Sequence, residues 1–110
     1  MKHPIATFFL AAFAVTANAE DVAAVSARAA SGDYQAMRNL AYGYVAWPLP
    51  GQKKDAVQGC AWYLLVLRSE SPKLNAGDLG NVKVYCDPLP FDERLAAERK
   101  ANAVFRTWHR

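Results

Sequence analysis

Histidine is nearly missing from this chain: His3 and the penultimate His109 are the only two imidazoles in 110 residues. So short a supply removes most general acid–base schemes and most zinc sites, which draw on clustered His and Cys ligands. No Gly-x-x-x-x-Gly-Lys phosphate loop and no Gly-x-Ser-x-Gly elbow occurs, so the usual nucleotide-binding and serine-hydrolase signatures are absent too. The carboxylate pairs Glu20/Asp21 and Asp92/Glu93 fall at expected helix starts, where capping and the helix dipole account for them. No block of like charge exists. The basic residues are scattered, and the densest group (Arg99, Lys100, Arg106, Arg110) reads as a solvated helix face, so nucleic acid is not expected as a partner.

Long apolar runs are also lacking, and the longest has a specific meaning. Lys2 and His3 precede a run from Ile5 to Val15 broken only by Thr7, and Ala17-Asn18-Ala19 then supplies small residues. A positive end, a short apolar core and a small-residue site form the order of a secretory signal peptide, here residues 1–19. About eleven apolar residues fall short of the roughly twenty a spanning helix needs. Stable membrane insertion after signal removal is therefore not expected. No cysteine stands near the cleavage point for lipid attachment. The compact signal points to the periplasm, or secretion, of a Gram-negative bacterium. Of the 110 residues, 91 remain as a single domain, 20–110. That is close to the lower limit for burying a useful core.

The remaining chain holds one cysteine pair, Cys60 and Cys86. In an oxidising compartment an even pair is expected to form a disulfide; the alternatives are two buried free thiols or a redox pair. The spacing does not resemble Cys-x-x-Cys.

Helix signals dominate what is left. Residues 21–30 are alanine-rich. After Ser31-Gly32-Asp33, the residues Ala36, Met37, Leu40, Ala41, Tyr44 and Val45 recur on one helical face, with Asp33 as cap. Pro48, Pro50 and Gly51 end that helix. Asp55 can cap a third helix reaching about Ser69, whose centre Cys60–Leu67 is apolar on all sides and must be covered by several neighbours. Residues 70–81, with Ser71-Pro72, Gly77 and Gly80, read as a loop. Val82, Val84 and Cys86 alternate with Lys83 and Tyr85, which alone suggests a short strand. After Asp87-Pro88-Leu89-Pro90, Phe91–His109 forms a last helix with Ala97, Ala101, Val104, Phe105 and Trp108 as its apolar stripe.

From Gly32 to Tyr63 the sequence resembles one unit of the Sel-one-like repeats, helical hairpins related to tetratricopeptide repeats. The first-helix positions are matched by Gly32, Ala36, Leu40 and Tyr44, and the second-helix positions by Asp55, Gly59, Trp62 and Tyr63. Small residues at Ala36 and Gly59 would let two helix axes approach while Leu40, Tyr44 and Trp62 fill the space beside them. Ala41 departs from the usual glycine, Gly59 from the usual alanine, and the Trp47-Pro48-Leu49-Pro50 loop from the glycine-rich turn. No second full copy is present. The resemblance implies an all-α fold: a short right-handed α-solenoid of antiparallel hairpins, about four to five helices, with its core repeat at about 32–69. It pulls residues 78–86 toward helix, against the alternation, and that segment is left open between the two. With few repeats to share a core, the cysteine pair would act as a staple.

The same resemblance implies an adaptor or scaffold for a protein partner, and small exported members can also act as immunity or inhibitor proteins; with the catalytic and metal-ligand signatures missing, no catalysis, cofactor or metal is expected. The candidate binding residues are Tyr34, Arg38 and Tyr42, at i, i+4 and i+8 on the first helix of the repeat, and Trp47 in the proline-rich loop. Tyr, Arg and Trp are the types enriched in binding hot spots. The plainer expectation is a partly buried aromatic edge with Arg38 stacked across it, and Trp47 folded back onto the hairpin. A small envelope ligand-binding protein, or an enzyme with an unrecognised site, is the alternative function.

Overall fold

The computed structural model describes residues 20–109, and within them five α-helices and no strand: α1 Val22–Ala30, α2 Tyr34–Val45, α3 Ala56–Arg68, α4 Ala76–Tyr85 and α5 Phe91–Thr107. The expected signal segment, 1–19, lies outside the described residues. Among those described, no helix is long and apolar enough to cross a membrane.

Local chemistry sets each boundary. Asp21, Asp33 and Asp55 cap α1, α2 and α3 by accepting hydrogen bonds from the backbone N–H groups of Ala24, Ala36 and Gln58. At the α1–α2 junction, the Asp33 N–H donates to Arg28 O (3.2 Å) and the Gly32 N–H to Ala29 O (3.0 Å). That paired pattern closes a helix through a residue at positive φ, and Gly32 stands there at +97°. A side chain at Gly32 would be strained by its φ alone, and the Trp108 ring lies 3.7 Å from where its Cβ would sit.

Helix α3 lies at the centre, against α2, α4 and α5, while α1 packs on α2. Its wholly apolar stretch is thereby covered: Cys60, Ala61, Leu65 and Val66 are fully buried, and Trp62 and Tyr63 nearly so. Close approach of α2 and α3 depends on Gly59, since a Cβ there would overlap Val45 Cγ1 and lie 3.4 Å from Ala41 O. Gly59→Ala should therefore cost about 1–2 kcal/mol net, overpacking outweighing the better helix propensity of alanine. Val45→Ala in the same chain should return much of it. Urea melts of the single and double variants test this, and a Gly59→Ala protein as stable as the parent would refute it.

Helix α4 corrects the loop expected over 70–81 and decides the open segment in favour of helix. Asn75 caps it by accepting from the Gly77 N–H (2.8 Å), and Asp78 accepts in return from the Asn75 N–H (3.0 Å). Gly77 and Gly80 cost helix propensity, about 1 kcal/mol each. The reciprocal cap and a bridge at the far end offset that, for Cys86 follows α4 directly and is bonded to Cys60 of α3. The apparent alternation has a helical explanation: Val82 and Cys86, four apart, face inward, while Val84 is 59% exposed.

Helix α5 runs across α3 on its small residues Ala97 and Ala101, both fully buried. Its stripe ends at Trp108, half-buried, whose Nε1–H donates to Ala30 O (2.8 Å), tying the last turn to the end of α1. His109 is exposed, with its ring against Phe105.

Candidate functional site

The three α2 candidates do not share one environment. Tyr34, expected at a binding surface, is 8% exposed, and its hydroxyl donates to Asp78 Oδ2 at 2.7 Å. Its role is internal, because a buried phenol needs an acceptor and α4 supplies one. Arg38 lies next to it, with its Cζ 5.6 Å from the Tyr34 ring centre, so the expected stacking of arginine on the aromatic edge is present. Its Nε is 3.3 Å from Asp78 Oδ1, an ion pair without hydrogen-bond alignment, and its side chain keeps about a third of its surface in solvent (35%). Tyr42, one turn on, is half exposed at 49%.

Asp78 is the residue that sequence reasoning missed. Its side chain is completely buried, and it joins three functions: capping α4, accepting from Tyr34 and pairing with Arg38. A signal existed in Asn75-x-x-Asp78, a capping-box spacing hidden by the two glycines beside it. Burial, followed by the hydrogen bond to Asp78, holds the Tyr34 phenol above its ordinary pKa.

Above this cluster a groove of about 300 Å³ opens between α2, α3 and α4. Arg38 and Tyr42 form its α2 side with the amides Gln35 and Asn39; Tyr63, Tyr85 and Asn81 form the rest. The Tyr63 and Tyr85 rings stack at 5.3 Å with a 12° interplanar angle. The surface is thus aromatic wall and amide or guanidinium donor, suited to a polar chain with interspersed apolar groups. No group of three or more His, Cys, Asp or Glu arranged to hold a metal occurs among the described residues.

Burial, ahead of the neighbouring Tyr85, raises the Tyr63 phenol to about 12 from the ordinary 10.0. An unfolded tyrosine ionises near 10.0, so the native state holds its proton where the unfolded chain has lost it. Stability is full below pH 10.0 and falls as pH rises from there through about 12. Tyr63→Phe should flatten that alkaline limb in thermal melts. An unchanged limb would place the effect elsewhere.

Trp47 stands apart from the α2 groove. Expected to fold back, it is 75% exposed in the α2–α3 connection. Its loop is organised instead by Gln52, which is 9% exposed: Nε2 donates to Leu40 O (3.0 Å) and Oε1 accepts from the Leu49 N–H (2.9 Å). The amide fits because residue 43 is glycine, where any Cβ would overlap it. Among the residues resembling the repeat, Ala36, Leu40, Gly59, Trp62 and Tyr63 are buried, Tyr44 is half-buried, Asp55 is a helix cap and Gly32 a helix terminus. The geometry brings Arg38 and Tyr42 into one groove with Tyr63 and Tyr85, and leaves Tyr34 beneath it and Trp47 beyond it. Comparison of the chain with models of protein families, with curated proteins and with solved structures gives no match.

Proposed function

We propose that this protein is an exported, non-catalytic interaction module of the bacterial envelope, periplasmic or secreted, that binds another protein as an adaptor or inhibitor. On this reading the five helices form a short right-handed solenoid of antiparallel hairpins of the Sel-one-like kind. The observation that carries the binding role is the groove over Asp78. A buried carboxylate fixes Arg38, so the outer edge of its guanidinium is offered among amides and tyrosines with little conformational freedom left to lose. Tyr42 adds an exposed ring to the same surface. The export reading rests on the charged, apolar and small-residue order of residues 1–19 and is supported by the Cys60–Cys86 disulfide.

The test is recovery of a partner from envelope extract by the exported protein and by an Asn39→Ala/Tyr42→Ala variant. Both positions are exposed, so circular dichroism should show an unchanged fold. One partner held by the parent and lost by the variant is the expected result. A partner retained by both would move the site off the groove, and no specific partner for either would sink the binding reading.

A further inference from the structure

The α2 groove does not end at Tyr85. That residue also walls a second hollow of about 390 Å³, formed with Tyr44, Val45, Val84, Pro88 and Leu89. Tyr44, Lys54 and Asp55 in turn wall both this hollow and a third of about 400 Å³, which holds Lys53 and Gln58. Through these shared wall residues the three adjoin one another in a track from the α2 face to the helix ends beside the α2–α3 connection.

The track changes character along its length. At the Arg38 end the lining is amide, guanidinium and phenol, and the guanidinium charge is already balanced by Asp78. That end recognises hydrogen-bond acceptors, such as backbone carbonyls, without net charge. The middle is aliphatic between two tyrosines, and Val84 stands 59% exposed in it. The far end carries Lys53 and Lys54, which make no ion pair among the described residues. Of the nearby carboxylates, Asp78 is in the buried cluster and Asp87, next to Pro88, pairs with Arg94 at 3.3 Å, while Asp55, which caps α3 through the Gln58 N–H, keeps its negative charge beside the lysines. Lys53 and Lys54 against Asp55 leave one net positive charge on this surface, and it lies at that end.

We propose that the track is a docking site for an extended, acidic peptide segment of a partner protein. Its backbone lies along Arg38 and the amides, an aliphatic side chain seats on Val84 and Leu89 between Tyr44 and Tyr85, and its acidic residues meet Lys53 and Lys54. The proposal rests on the reading of the protein as an interaction module and adds the class of segment it takes. Charge at the exposed lysines raises association rate and sets polarity, while the apolar middle supplies retention.

A phage-displayed library of random peptides selected on the exported protein tests it. The selected peptide is then labelled with fluorescein and titrated by polarisation at low and at physiological salt. Enriched peptides should share an aliphatic residue with Asp or Glu to one side of it. Lys53→Glu/Lys54→Glu should weaken binding at least roughly tenfold at low salt and reverse the sign of its salt dependence. Val84→Ser should weaken it several-fold, about 1 kcal/mol of lost apolar burial, without touching the salt dependence. All three positions are exposed, and unchanged melting temperatures should show that the variants fold. Peptides without acidic residues, or binding indifferent to the lysine and Val84 variants, would overturn the proposal. If Asn39→Ala/Tyr42→Ala still abolished binding in that case, the interaction module would stand and only the acidic segment would fall. A concentration-dependent dimer dissociated by the lysine variant would give the track to a second copy of the chain, and would also overturn it.

Discussion

Removing the Cys60–Cys86 bridge, by Cys60→Ala/Cys86→Ala, is expected to lower stability by about 3.5 kcal/mol and to loosen α4 before the rest of the protein. The cysteines are 26 positions apart, a loop for which the chain-entropy relation gives about that figure. Against a total of about 5–15 kcal/mol for a domain, this is a large fraction. Alanine is the right replacement because both residues are fully buried, and serine would bury a hydroxyl. The selectivity for α4 follows from how little else holds it. Its packing is on α3 alone among the principal helix pairs, it contains two glycines, and only Asp78 and Val82 of its ten residues are buried. Urea unfolding measures the loss, and hydrogen exchange resolves its location. The amides of 76–85 should lose protection in the variant while those of α2 and α3 keep theirs, relative to the new global stability. A loss below about 1 kcal/mol with α4 still protected would mean that the capping box, Val82 and the ties from Asp78 to Tyr34 and Arg38 suffice.

Arg38→Met is expected to cost about 3 kcal/mol, and Asp78→Asn in the same chain to restore part of it. The sign of that rescue is the informative part. Arg38 and Asp78 are a partly buried ion pair, and the two partners differ in their access to water: the arginine side chain is 35% exposed and the aspartate fully buried. Methionine keeps the aliphatic stem on Tyr34 but strands the carboxylate with no counter-charge. Neutralising the stranded group leaves an oxygen to accept from Tyr34 and removes the buried charge. Asp78→Asn alone should be milder, about 1 kcal/mol, because the freed guanidinium can reach solvent. A thermodynamic cycle over the four proteins should therefore show strong coupling. Additive losses would mean that the 3.3 Å contact contributes no energy and that Asp78 acts only as the cap of α4 and the acceptor for Tyr34.

The readable parts of the fold were those with a local cause. Asp33 and Asp55 announce two helices because a short side-chain acceptor satisfies a backbone N–H three residues on, and the apolar periods after them run long enough to be unambiguous. The segment 76–85 hides its helix because two glycines weaken the period and its cap lies in Asn75 and Asp78, which carry other meanings in a loop. Alternation of Val82, Val84 and Cys86 fits period two and also, through Val82 and Cys86, the four-residue step of a helix, so five residues cannot choose between them.

Of the candidate site, the residue types were legible and their placement was not. Tyr34, Arg38 and Tyr42 are equally spaced, yet one is buried under α4, one spans the boundary and one is half exposed, since the arrival of Asp78 from 44 positions away decides which is covered. Trp47 is exposed, and its loop is held from within by Gln52, five residues on, through bonds to Leu40 and Leu49 that local sequence does not announce.

By itself the sequence determined the helical class, most helix ends, the central position of α3 and the two cysteines able to bridge, because these depend on composition, capping and period within a few turns. The tertiary structure decided the rest: that α4 is a helix, that the buried carboxylate of Asp78 organises Tyr34 and Arg38, and that Tyr85 and Tyr44 each wall two neighbouring hollows. Each of those depends on groups distant in the chain meeting across a helix interface, and desolvation gives such a meeting its energy only once the helices have packed.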